Sequence, residues 1–459
     1  MAEKPSMTFS LLGSAAPVLA PRIGQLSIPG RKAITTPHHV PLTSRGTVPH
    51  IAHDMMRDHT AIGNLYIGLE DFIERSDNAA VYKTPAAAHE SPLKKFSCIP
   101  SDMTVILGPR RFPAIVCPPS NKSTSIALST SIGFHQLHAK QYVNAVHKLR
   151  PDIAIGMADL VLGRQPGNKR REKMVDRTHA FTRDALEQLY GKSLGDDEKS
   201  RTAFFAPVLP LDNAQQSLYL EDLEDEFRGD ISGLALYEAA SLEYIPPSLG
   251  GLPRLLLSEP VTPHDILREI SLGADLLTTP VLGASSDAGI ALDFKFPAPV
   301  ALDGGNQPQP FGSDIWSVEN ASDVSPLAEG CVCYACRKHH RAYFHHLLAA
   351  KEMTAWALLQ VHNYHVFDLF FAGVRESIQN GTFEQDVEAF RRYYAPDMPE
   401  SSGQGPRLRG YQLPAPAAHA PRRAPKVYGR LEEVIGSSSA VTPDTDASGL
   451  EEHGFAEKV

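Results

Sequence analysis

Cysteine is scarce in this chain: five residues in 459. A low and odd count excludes a secreted scaffold stapled by disulfides and points to a reducing compartment, and a chain of this length buries enough core to need no staples. Also missing is any apolar run near the roughly 20 residues of a membrane-spanning helix. Positive charge is in deficit, with a formal net charge of -9. No global field therefore draws the chain to nucleic acid, and any such contact must use local patches. There is no internal repeat, and no G-x-G-x-x-G follows the first apolar strand. The opening MTFSLLGSAAPVLAPR is apolar, but Pro17 interrupts it and Glu3 weakens the basic lead of a signal peptide. It reads instead as an early strand or hairpin.

What is present is ordinary for a soluble globular protein: 42% hydrophobic and 21% charged residues. Apolar stretches alternate with helical ones. SIALSTSIGF (125–134) reads as a strand leading into the helix QLHAKQYVNAVHKL, and DIAIGMADLVLG (152–163) as a strand before the helix 171–190. AFFAPVLPL (203–211), DISGLALYE (230–238) and RLLLSE (254–259) are further strands, with an acidic helix between the first two. In VTPHDILREISLG, Thr262 is placed to cap a helix, Pro263 to start it, Asp265 to complete a capping box and Gly273 to end it. ADLLTTPVL then reads as a strand. Repeated β–α units with near-continuous apolar strands predict an α/β fold of the (β/α)₈ TIM-barrel type. Chemistry in such a barrel belongs at the C-terminal strand ends, which include Asp159, the 209–212 turn and Thr278. Pro, Ala, Ser and Gly dominate from residue 399 to 459, with one short helical possibility at YGRLEEVIG, so this tail is expected to be disordered.

Three of the five cysteines stand in GCVCYACRKHH as Cys331, Cys333 and Cys336. The first two are too close for an unstrained disulfide, and no thioredoxin-like unit surrounds the C-x-x-C. Soft ligands at this spacing fit a structural zinc, which needs a fourth. Six histidines lie nearby, at 339, 340, 345, 346, 362 and 365. His339 and His340 are too near the cysteine loop to close a site, whereas His362 can fold back over it along the helix that begins near Arg341. That helix shows a three-four apolar pattern interrupted at Lys351 and Glu352. Two basic runs stand out, Lys169–Arg170–Arg171 and Arg337–Lys338 with Arg341.

The cysteine run resembles the zinc subdomain of tRNA-guanine transglycosylases. C-x-C-x₂-C is followed by R-A-Y-x-H-H-L (341–347), K-E-M (351–353) and L-L-x-x-H-N ending at His362 and Asn363. TPHHVPLTSRGTVPHI, PDIAIGMADL and RLLLSEPVTPHDILREISLGADLL resemble other segments of that family, up to about residue 398. The resemblance implies a barrel over 1–398 with a zinc subdomain at about 305–365. It implies one structural Zn²⁺ on Cys331, Cys333, Cys336 and His362, and a base-recognising role for the aspartate at Asp159.

The chain also departs from that family. Catalytic members read G-V-D-L-F-D-C, whereas this chain reads G-A-D-L-L-T-T (273–279) with Thr278 at the nucleophile position. A threonine hydroxyl without a base is a poor nucleophile and brings no charge to a cationic centre. Asp275 lies an odd three residues earlier, on the other face of a strand. The family's D-S-G-G-F-Q is matched to ALSTSIGFHQL (127–137), without an aspartate, and its V-Q-G-G turn to VLPL (208–211). No catalytic residue is therefore expected, and the N-terminal stretch looks closer to non-catalytic members. The resemblance implies a subunit that pairs with a catalytic queuine tRNA-ribosyltransferase as a heterodimer. That enzyme exchanges guanine for queuine at the anticodon wobble position of tRNA. It further implies tRNA as a partner and a cytoplasmic location, with peripheral association at the mitochondrial outer membrane. The basic runs are candidate phosphate contacts. Two alternatives stay open: an active transglycosylase using a displaced carboxylate, Asp275 or Asp159, and a zinc-stabilised interaction module unrelated to tRNA.

Overall fold

The structure is a computed structural model and describes residues 7–13, 19–73, 79–117, 120–130, 133–195, 199–299 and 307–406. Eight parallel strands make the central sheet: His38–Val40 (β1), Asn64–Gly68 (β2), Thr104–Gly108 (β3), Ile153–Ile155 (β4), Ala203–Val208 (β5), Gly233–Leu236 (β6), Arg254–Leu256 (β7) and Leu276–Thr278 (β8). Each strand from β2 to β8 pairs with the next in sequence, and β8 returns to β1 with Thr278 opposite Val40. The ring is completed where Leu42 bridges Tyr66 in parallel and Tyr66 N–H donates to Pro41 O at 2.9 Å.

The strands are buried on both sides because their residues alternate between two apolar layers. Ile106, Ile153, Phe205, Ala235, Leu255 and Leu276 fill the barrel interior. Their chain neighbours Val105, Leu107, Ala154, Phe204 and Leu234 pack outward against helices. Those helices include Ala139–Leu149 (α1), Asn168–Tyr190 (α2), Asn213–Asp225 (α3), Pro263–Ser271 (α4) and Pro280–Ala288 (α5). The start of α4 follows its sequence signals. Thr262 Oγ1 accepts from Asp265 N–H at 3.3 Å, and Asp265 Oδ2 accepts from Thr262 N–H at 3.0 Å. Thr8–Leu11, Gly24–Ser27 and Ile34–Thr36 form an antiparallel sheet, and Leu26 and Ile34 join the interior layer to close the barrel's base.

Two features differ from the sequence expectation. The stretch 125–134 is no barrel strand: Ser125–Thr130 pairs antiparallel with Gly133–His138 in a separate hairpin. The β2 and β3 strands, NLYIG and TVILG, were not recognised as such. Each is wholly buried like the other barrel strands, but the elements that follow at once are not long helices, so no β–α unit marks it.

After β8 and α5, Ile290–Leu292 pairs antiparallel with Gly312–Asp314 and leads to Tyr334–Lys338 (α6), Arg341–Ala349 (α7), Met353–Asn380 (α8) and Phe383–Tyr393 (α9). The interrupted pattern at Lys351–Glu352 is a true break between α7 and α8, where Lys351 takes φ +56°. His362 thus lies within α8 rather than on the helix that begins at Arg341. No helix among the described residues is long and apolar enough to cross a membrane. Beyond 398 the chain still packs on the fold: Ser401 Oγ–H donates to Ala288 O at the end of α5 at 2.6 Å, and Ser402 N–H to Asp314 Oδ2 at 3.0 Å. From 407 on the tail, with its expected helix YGRLEEVIG, lies outside the described residues.

Candidate metal centre and the barrel mouth

Cys331 and Cys333 lie on the loop before α6, and Cys336 in its first turn. Cys333 caps that helix, its sulfur accepting from Cys336 N–H at 3.4 Å. From α8, His362 presents Nδ1 to Cys331, Cys333 and Cys336 Sγ at 3.7, 3.5 and 3.4 Å. All four ligand atoms lie within 4.8 Å of one another. A tetrahedral ion with bonds of about 2.3 Å to sulfur and about 2.0 Å to nitrogen needs S···N separations of about 3.5 Å. The set therefore fits a metal ion and could hold one.

The neighbouring residues orient the histidine. With Nδ1 facing sulfur, Nε2–H donates to Leu292 O at 2.8 Å, which fixes the tautomer a metal requires. Asn363 completes the anchor: its Oδ1 accepts from Leu292 N–H at 2.9 Å and its Nδ2 donates to Ile290 O at 3.0 Å. The His-Asn pair thus pins α8 to the 290–292 strand. Other histidines have structural tasks. His340 caps α7 through Tyr343 N–H, His339 stacks on Tyr343, and His345 meets Ile315 O at 3.0 Å.

At the barrel the two suspected carboxylates are already engaged. Asp275 is fully buried at the entry of β8, the barrel's base, with Arg22 across both oxygens and Arg254 N–H on Oδ2 at 2.8 Å. Asp159, also fully buried, receives Arg170 on both oxygens at 2.7 and 2.5 Å, Arg177 at 3.1 Å and Asn121 Nδ2 at 2.6 Å. Thr278 sits at the exit of β8, buried, and its hydroxyl donates to Ser258 O at 2.8 Å. In the 208–211 turn the polar backbone is met by Gln216, whose Nε2 donates to Leu209 O and Leu211 O at 3.0 and 2.7 Å.

The basic runs divide. Arg170 is committed to Asp159, Arg171 Nε donates to Pro166 O at 3.1 Å, and Arg341 binds Pro326 O and Leu327 O. Lys169, Arg337 and Lys338 are exposed.

The mouth residues after β3 are not in 127–137, which lies in the hairpin, but in Pro109–Phe112. Arg110 and Arg111 there are buried and were missed by sequence reasoning. Two adjacent arginines inside the otherwise apolar ILGPRRFPAIV were the available signal. Arg111 pairs with Glu70 and Asp71 at 2.5 and 3.2 Å, and Arg110 donates to Ala127 O at 2.6 Å. A cavity of about 670 Å³ remains at the strand ends, with Tyr66, Phe112, Tyr237, Ser258 and Glu269 among its walls.

Comparison with known proteins agrees with this architecture. Residues 19–396 match the family model described as queuine tRNA-ribosyltransferase. A queuine tRNA-ribosyltransferase accessory subunit 2 from Schizosaccharomyces pombe is 37% identical over 383 residues, 83% of each chain. Proteins of the same name from Drosophila persimilis and Xenopus tropicalis are 29% and 27% identical, covering 81% of this chain and 89% and 96% of theirs. With a family match across most of its length, a barrel of the expected type and a Cys₃His cluster in the expected place, the chain belongs to the queuine tRNA-ribosyltransferase family.

Proposed function

We propose that this chain is a non-catalytic subunit of a heterodimeric queuine tRNA-ribosyltransferase, serving the exchange of guanine for queuine at the tRNA wobble position. The observation that carries this reading is Thr278. It occupies the position of the family's nucleophile, is buried, and donates a hydrogen bond to a backbone carbonyl. Among the described residues its hydroxyl bonds only to backbone carbonyls and to no base, and a hydroxyl so placed offers no charge to a cationic ribose centre. The engagement of Asp275 at the barrel base and of Asp159 by two arginines supports the same view, as does the name carried by the relatives.

The donor set of three thiolates and one imidazole suits Zn²⁺, which would act structurally by tying the cysteine loop to α8. The metal region also offers a surface for a partner subunit. Val332 and Leu369 are 67% and 57% exposed beside a groove that Tyr334, Arg337 and Lys338 also line. Exposed apolar side chains rimmed by charge are the usual anatomy of a docking face. Arg337, Lys338 and Lys169 are free to meet phosphates, which position an RNA without reading its sequence.

The decisive experiment measures exchange of labelled guanine in tRNA by this chain alone, by a catalytic queuine tRNA-ribosyltransferase subunit alone, and by the pair. The pair should far exceed either component. Exchange by this chain alone at the rate of the pair would overturn the reading.

A further inference from the structure

The fold holds the root of the C-terminal tail in a defined place. Ser401 Oγ–H donates to Ala288 O at 2.6 Å, and Ser402 gives N–H and Oγ–H to Asp314 Oδ2 at 3.0 and 2.5 Å. Gly403 lies so close to the Trp316 ring that a Cβ there would meet it at 2.0 Å. Trp316 in turn packs against the cluster that holds Cys333 and Trp356, so the tail is rooted on the metal region. This anchor stands past residue 396, where the family match ends, and shortly before Arg407.

From the anchor onward the charge is segregated. Residues 401–431 carry Arg407, Arg409, Arg422, Arg423, Lys426 and Arg430, and not one Asp or Glu. Residues 432–459 carry seven acidic residues against one lysine. Residues 1–400 therefore keep the whole net charge of -9, a field that repels a polyanion. Six cations without an acid, in a chain with more acids than bases, are the composition of a phosphate-binding arm. Five of the six are arginines, which fork onto phosphate oxygens. Tyr411 and Tyr428 stand among them and offer rings on which bases stack. The root lies on the region that also exposes Arg337 and Lys338, so an RNA touching those residues meets the arm at high effective concentration.

We propose that residues 407–430 are an RNA-binding arm that grips phosphates, and that the acidic end after residue 431 competes with RNA for it. Only the choice of RNA rests on the proposed function, and no catalysis is needed to see the arm act.

Fluorescence anisotropy of a labelled, unmodified tRNA transcript titrated with the full chain tests this across about 50 to 200 mM salt. Two full-length variants are compared with the parent. One has the six arm cations changed to glutamine, the other the seven acidic residues of the end changed to their amides. Every substitution lies beyond the anchored root, so melting temperature and zinc content should match the parent. The arm variant should bind at least about tenfold more weakly at the lowest salt, with a salt slope shallower by about 2 or more, since each phosphate contact contributes about 0.7–0.9. The amide variant should bind at least about threefold more tightly than the parent, as a competitor for the cations is lost. Equal affinity and slope in parent and arm variant would overturn the proposal, as would an amide variant no tighter than the parent. So would an arm variant that keeps its tRNA affinity but binds the catalytic subunit more weakly, which would make the arm a protein contact. Exchange by the pair is a separate readout: its absence would sink the proposed function and leave the arm standing.

Discussion

Arg22 reaches across the base of the barrel to Asp275, 253 residues away, donating to Oδ1 at 2.9 Å and to Oδ2 at 2.5 Å. Asp275 begins the segment that ends at Thr278, so the two residues face opposite ends of the barrel. This separation decides between structural and chemical roles for the carboxylate. Both charges of the pair are nearly or wholly out of water, where removing one partner strands the other. Asp275→Ala should lower unfolding free energy by about 3–5 kcal/mol in urea titrations. It should leave the metal content of the folded fraction unchanged.

Placing a carboxylate at Thr278, the proposed counterpart of the family's nucleophile, should not confer guanine exchange. In Thr278→Asp the new oxygens would replace a hydroxyl that donates to Ser258 O and Leu256 O, so an acceptor would face acceptors in a buried site. The cost is about 1–3 kcal/mol or more for an ionised group. We expect a lower melting temperature and no guanine exchange by the isolated variant, read by thermal unfolding and by label release from tRNA.

The metal ligands were legible because C-x-C-x₂-C is local, and the structure brings His362 to them as the family pattern implies. The capping box at Thr262 and Asp265 was legible for the same reason, since its partners are three residues apart. What escaped was non-local. Arg111's commitment to Glu70 and Asp71, and Arg170's to Asp159, depend on which strand ends meet at the barrel mouth. A run such as RREK on a helix looks like solvated charge until the strand beside it is known. The β2 and β3 strands escaped because no long helix follows either at once to complete a β–α unit.

Glu269 gives a pH signature of known sign. Its folded carboxyl is raised from 4.5 to about 7 by burial, so the folded state holds a proton that the unfolded state has lost. Its contribution to stability is complete below pH 4.5 and is lost as the pH rises through about 7. Glu269→Gln keeps the shape without the ionisation. The variant should be more stable than the parent by about 2 kcal/mol at pH 8, and the gain should vanish at pH 4.5 or below, in urea titrations at both pH values.

Removing the metal should loosen the cysteine loop and α8 while sparing the barrel strands. Cys333→Ser replaces the most buried thiolate of the set, and a hydroxyl is a poor zinc ligand. Elemental analysis of the parent should find one zinc per chain and of the variant much less than one. Structural zinc binding is worth about 10–16 kcal/mol in small peptides. Even a fraction of that within a larger fold predicts a stability loss of at least about 3 kcal/mol, matched by chelator treatment of the parent.

The face beside the metal should separate pairing from folding. Leu369 lies on α8 with its side chain mostly in solvent, so Leu369→Asp removes little from the core. Melting temperature and zinc content should stay at the parent values. At a docking face the same change buries a charge against an apolar partner surface, which costs about 2 kcal/mol or more when the residue is central. Affinity for the catalytic subunit, measured by titration calorimetry, should then fall roughly 30-fold or more. Exchange by the pair should fall with it and recover as the concentration of either subunit is raised. A variant defective in chemistry rather than assembly would show no such recovery. Val332→Asp, on the loop carrying the cysteines, should behave alike if both residues share one interface.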